Sequence, residues 1–135
     1  MSRIPRHQEH LKTAFTAEAA SAARCRAYAT RAEREGLPNL ASHWQRLAAE
    51  KDRLAVELLE ASGQLKSLDA DLGNAISEER YENDALYPKM IRDVEPPAAE
   101  VFQRVVTAQA EHLSRLEALR DAVAGARGDV APPTT

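Results

Sequence analysis

The chain has 135 residues, 18 Lys and Arg against 21 Asp and Glu, and a formal charge of -3. It is long enough to bury a core as one domain, and its charge gives no general drive toward nucleic acid or an anionic membrane surface. One Cys excludes an internal disulfide and a paired-cysteine metal knuckle; no apolar run approaches a membrane span, residues 1–10 are too polar for a signal peptide, and a cytoplasmic location is expected by default.

Ala, Leu, Glu and Arg dominate, beside two Phe, one Trp and five Gly. Unbranched side chains and Ala lose little entropy in a helix, so the chain reads as all-α. The first helix is expected over residues 6–35, with a stripe of Leu11, Phe15, Glu18, Ala22, Cys25 and Ala29 in alternating steps of four and three. Gly36 stops it, and Pro38 suits the first turn of the next helix. That second helix carries Leu40, Trp44, Leu47, Lys51, Leu54 and Leu58 on one face and ends near Gly63. Residues 64–67 link it to a third helix with Leu68, Leu72, Ala75, Glu79, Glu82 and Leu86 inward, bent at Pro88. Pro96 and Pro97 open a fourth helix, with Phe102, Val105, Gln109, His112, Leu116 and Leu119 inward. The expected domain covers residues 6–125, followed by a disordered tail over 126–135.

The two halves echo each other. Trp44-Gln45-Arg46-Leu47 corresponds to Phe102-Gln103-Arg104-Val105, and Pro38 to Pro96. In that register Lys51 matches Gln109, and Leu54 matches His112. The expectation is an antiparallel four-helix bundle made of two helical hairpins.

Every apolar stripe contains polar groups: Glu18, then Lys51, then Glu79 and Glu82, then Gln109 and His112. One such group is ordinarily explained by a helix turned slightly toward water. Four helices with polar groups at matching depth call for partners, protons or metal, because an unpaired buried charge is very costly. Bundles that hold two metal ions take a Glu from each of two helices and Glu-x-x-His from each of the other two. Three-residue spacing points both ligands of such a motif inward on adjacent turns. Glu18 and Glu79 supply the single acids. Gln109-Ala-Glu-His112 keeps the histidine but replaces the carboxylate with an amide, and Lys51-Asp-Arg-Leu54 keeps neither ligand. Glu50, Glu111 and His43 lie off the stripes and are expected at the surface or in a groove.

Leu11-Lys12-Thr13-Ala14-Phe15 through Glu18, with Ala32-Glu33-Arg34-Glu35-Gly36, resembles the first helix of rubrerythrins. Ala75-Ile76-Ser77-Glu78-Glu79-Arg80-Tyr81-Glu82 followed by Tyr87-Pro88 is similar to their third, where Glu-x-x-Glu precedes Tyr-Pro. The resemblance covers roughly residues 11–123. It implies a ferritin-like fold, a homodimer, and a two-iron centre that reduces peroxide. Glu18, Glu79, Glu82 and His112 then occupy metal-ligand positions, and Tyr87 that of a tyrosine standing behind the ligands. Lys51 falls on one bridging glutamate's position, Leu54 on a ligand histidine's, and Gln109 on the other bridging glutamate's. The paired-cysteine rubredoxin module is missing, so redox activity needs a separate electron donor.

With all acids ionised, Lys51 offsets one of the three negative charges from Glu18, Glu79 and Glu82. Close carboxylates favour its charged form, so Lys51 reads as a fixed cation rather than a nucleophile. The leading expectation is a metal-free, structural or ligand-binding protein in which Lys51 bridges Glu18 and Glu82, while Gln109 and His112 complete the hydrogen bonds. The next is one metal ion (iron, manganese or zinc) at Glu79 and His112, open to redox or hydrolytic chemistry, with an intact two-iron peroxidase last. Cys25 reads as a buried inert thiol, and Tyr28, Tyr81 and Trp44 as packing or interface residues.

Overall fold

The structure, a computed structural model, describes residues 6–126 and 128–133. Helices are the only regular elements among them: α1 (Arg6–Arg34), α2 (Pro38–Ala61), α3 (Leu68–Tyr81), a π-helical turn (Glu82–Leu86), α4 (Tyr87–Arg92) and α5 (Pro96–Gly125). The all-α class is as expected, with α3, the π-turn and α4 together forming the predicted third helix. Of the expected disordered tail, residues 126 and 128–133 lie outside any helix, and 127, 134 and 135 fall outside the described residues. No helix is long and apolar enough to cross a membrane among the described residues. The chain divides into two compact units, Met1–Lys66 and Ser67–Thr135.

In the first unit, α1 turns back into α2 through a glycine-closed cap. Gly36 takes φ +77°, a conformation only glycine adopts without strain. Its N–H donates to the Glu33 carbonyl at 3.0 Å, and that of Leu37 to the Ala32 carbonyl at 2.8 Å. These two bonds satisfy carbonyls that the end of α1 leaves open. Pro38 then begins α2, where its missing N–H costs nothing.

The seam between α1 and α2 is made of small side chains. Ala22, Cys25, Ala29 and Ala32 of α1 are buried, as are Ala41, Ala48 and Ala55 of α2, spaced seven residues apart. Ser62, the next step of seven, is buried too, and its Oγ donates to the Leu59 carbonyl at 2.6 Å. Here the structure departs from the expected face of α2. The buried positions each follow the leucines Leu40, Leu47 and Leu54 by one residue, a rotation of about 100°. Those leucines remain 46, 38 and 49% exposed. A methyl group lets two backbones approach more closely than an isobutyl group does, so the alanines take the contact and the leucines its flank.

In the second unit, α3, the π-turn and α4 pack along α5. Ser67 caps α3, its Oγ accepting from the Ala70 N–H at 3.1 Å, and Asp69 and Asp71 in the first turn complement the helix dipole. Ile76 is fully buried. The bend expected at Pro88 takes the form of the π-turn just before it, where the Tyr87 N–H donates to the Glu82 carbonyl five residues back. Pro88 offers no N–H, and its ring would collide with the carbonyl four residues earlier in a regular α-helix. A wider turn relieves that collision without ending the helix.

The internal echo is visible in each unit by itself. Trp44 meets Tyr28 edge-on with ring centroids 4.9 Å apart, and its counterpart Phe102 meets Tyr87 at 5.8 Å. Pro38 and Pro96 both open their helices. Cys25 is a buried free thiol, and Tyr81 is exposed.

Candidate functional site

The first unit supplies an acid and a base. Lys51 lies three residues after Ala48 and four before Ala55, so its stem starts beside the alanine seam and reaches α1. Its Nζ stands 3.1 Å from Glu18 Oε2 and donates to it. Both side chains are partly buried, so the contact forms in a medium drier than bulk water. Glu18 also borders an open groove of about 360 Å³ lined by Leu54, Glu57, Leu58 and Ala61. Leu54, three residues on from Lys51, is half-exposed and supplies no polar atom. The Glu18 contact expected of Lys51 is therefore present.

The second unit supplies two successive rungs. Moving from Glu79 to Glu82 on one side matches moving back from His112 to Gln109 on the antiparallel α5. His112 Nδ1 lies 3.9 Å from Glu79 Oε2, too far for a hydrogen bond. Gln109 Nε2 donates to Glu82 Oε2 at 2.8 Å. Gln109 is 7% exposed, the one buried polar residue of the second unit among those described. Half the His112 side chain is open to solvent, whereas Glu79 is mostly covered.

The Glu82 contact fixes which way the Gln109 amide points. An ionised carboxylate only accepts hydrogen bonds, so it selects the NH2 end and turns Oε1 away. That Oε1 finds no partner, nor do Glu79 Oε2 and Asn83 Oδ1, and all three atoms are buried. Sequence reasoning does not single out Asn83, although a signal exists: it lies four residues after Glu79, on the same helical face. Tyr87 stacks its ring against Phe102 beyond this seam.

The residues expected away from the site stay away. Glu50 pairs with Arg46 at 3.4 Å and Glu111 with Arg115 at 3.7 Å, both one turn along their own helices. His43 is exposed. Cross-helix contacts near the seams complete each unit: Arg26 to Asp52 at 2.8 Å and Gln45 to Glu33 at 2.8 Å in the first, Arg80 to Glu117 in the second.

A two-ion centre does not fit the first unit, because the carboxylate that would hold an ion already holds an ammonium. Among the described residues, no three His, Cys, Asp or Glu side chains come together as a metal-ligand group. A single ion fits the second unit better, where a carboxylate oxygen is buried without a donor and a histidine nitrogen lies nearby. No protein-family model matches the chain, and no curated protein is significantly similar to it.

Proposed function

We propose that this is a rubrerythrin-like protein of the ferritin-like class whose metal centre is remodelled around Lys51, so that it works metal-free in a structural or ligand-binding role. The observation that carries this reading is the 3.1 Å contact between Lys51 Nζ and Glu18 Oε2. A fixed ammonium there neutralises one ligand acid and repels any cation seeking the same oxygen. Gln109 supports the same reading, since a neutral amide bound to Glu82 has replaced a carboxylate that would bridge two ions. A homodimer belongs to this proposal through the family resemblance, and a cytoplasmic location by default. The open groove beside Glu18 is the natural place for an apolar ligand in the first unit.

A second reading is favoured by the unpartnered Glu79 Oε2 near His112. In it, one iron, manganese or zinc ion sits at Glu79 and His112, assisted by Glu82 or water. The bound ion would supply redox chemistry of the rubrerythrin type, fed by a separate electron donor. Glu79 would bring the negative charge, and half-exposed His112 would stand at the solvent side of the ion.

Elemental analysis of protein purified without chelator separates the readings. The first expects no stoichiometric transition metal. One equivalent, lost in His112→Ala, would replace it with the second, and two equivalents of iron per chain would overturn both.

A further inference from the structure

The seam of the second unit contains three buried side-chain oxygens without a hydrogen-bond partner: Glu79 Oε2, Asn83 Oδ1 and Gln109 Oε1. Among the described residues no other buried side-chain polar atom is left in this state. Each such orphan is costly to bury, and chance would scatter them along the chain. Instead all three belong to the seam that α3 and the π-turn make with α5. Glu79 and Asn83 occupy successive turns of one helical run, and Gln109 on α5 is tied by its own amide to Glu82, the neighbour of Asn83.

We infer that this seam is a site for one hard, oxygen-seeking cation, with Asn83 Oδ1 and Gln109 Oε1 joining Glu79 Oε2 as its donors. The three atoms are all acceptors, so what satisfies them brings positive charge or donors only. They have essentially no surface open to water, so it must also be small; one water donates only two hydrogen bonds, whereas a single cation can meet all three acceptors. One carboxylate and two amide carbonyls form a donor set suited to calcium, magnesium or manganese rather than to thiolate- or imidazole-seeking metals. His112, with its nitrogen 3.9 Å from the same Glu79 oxygen, adds a donor that manganese accepts more readily than calcium or magnesium. Glu82 acts at one remove, holding the NH2 of Gln109 and thereby turning the carbonyl oxygen the other way. Glu82 is a positioning residue here, whereas the resemblance makes it a ligand.

The inference rests on the single-ion reading, would replace the metal-free one, and needs no residue of the first unit. It adds the two amide oxygens to that site and narrows the ion to the hard class. A single bridging amide cannot hold two ions, but it can complete a site for one.

The test is titration of the full chain with Mn2+ alone, followed by loss of the free-ion signal in electron paramagnetic resonance. Wild type is expected to bind one equivalent. Asn83→Ala and Gln109→Met, each with wild-type helicity by circular dichroism, are expected to weaken binding about tenfold or more, as loss of one of few protein donors does. Should either variant unfold, Asn83→Asp keeps the question open, because an added charge at a donor position is expected to tighten binding. Binding lost in His112→Ala but unchanged in all three amide variants would overturn the inference and leave the single-ion reading standing. Absence of Mn2+ binding by wild type together with tight Zn2+ binding would overturn the hard-ion assignment. Failure to bind either ion would overturn both.

Discussion

Lys51 and Glu18 can be removed separately and together, and the sum of the parts decides whether the pair matters. Their side chains are 25% and 31% exposed, and Nζ and Oε2 are 3.1 Å apart. In bulk water two unit charges at that distance attract by about 1.3 kcal/mol, and reduced exposure raises the figure while desolvation and side-chain ordering lower it. A coupling energy of about 1 kcal/mol is expected. Lys51→Met leaves a partly covered carboxylate without a donor, and Glu18→Gln leaves a partly covered ammonium without its counter-charge. Each single variant should therefore lose about 1–2 kcal/mol, and the double variant less than the sum. The chain has one tryptophan, Trp44, packed on Tyr28 in the first unit. Its fluorescence during urea unfolding reports on that unit rather than on the whole chain, which removes ambiguity if the two units unfold separately. Additive single-variant losses, with a coupling below about 0.3 kcal/mol, would mark an ion pair of the surface kind and contradict the drier setting ascribed to it.

Three further outcomes follow from the packing. Gly36→Ala is expected to destabilise the first unit by about 1 kcal/mol through φ alone, because nothing lies within 4 Å of the added Cβ; an unchanged urea midpoint for Trp44 fluorescence would contradict this. Ala48→Leu, which forces an isobutyl group into the buried seam, should cost about 1–3 kcal/mol, whereas Leu47→Ala at the flank should cost less, by the same fluorescence assay. Ser67→Ala removes the acceptor for the Ala70 N–H and should lower stability of the second unit by about 1 kcal/mol, read as a reduced thermal midpoint in far-ultraviolet circular dichroism.

Much of the fold was legible because its signals are local. Gly36, Pro38, Pro96 and the three-four spacing fix helix ends and faces through backbone physics that needs no distant partner. The face of α2 against α1 was harder to read. Leucines attract attention as core residues, yet methyl groups allow the closest approach, and the Ala41-Ala48-Ala55 series carries that contact. Glu18 and Lys51 were recognisable as partners because both interrupt apolar stripes and carry opposite charges. Asn83 was not, since an asparagine near a proline ordinarily reads as turn chemistry. Its spacing of four from Glu79 was the available signal, and its oxygen is covered within the π-turn that precedes Pro88. The orientation of the Gln109 amide was equally hidden, because it depends on that amide meeting the Glu82 carboxylate of another helical segment across the seam.

An ammonium on the second helix standing in place of a metal ligand is the feature on which the proposed function depends. Restoring the motif with Lys51→Glu and Leu54→His together, then measuring bound iron per chain after loading, probes that substitution itself. More iron retained than in wild type, at unchanged helicity, is the expected result. A folded double variant that gains no metal would show that Lys51 does not stand at a ligand position.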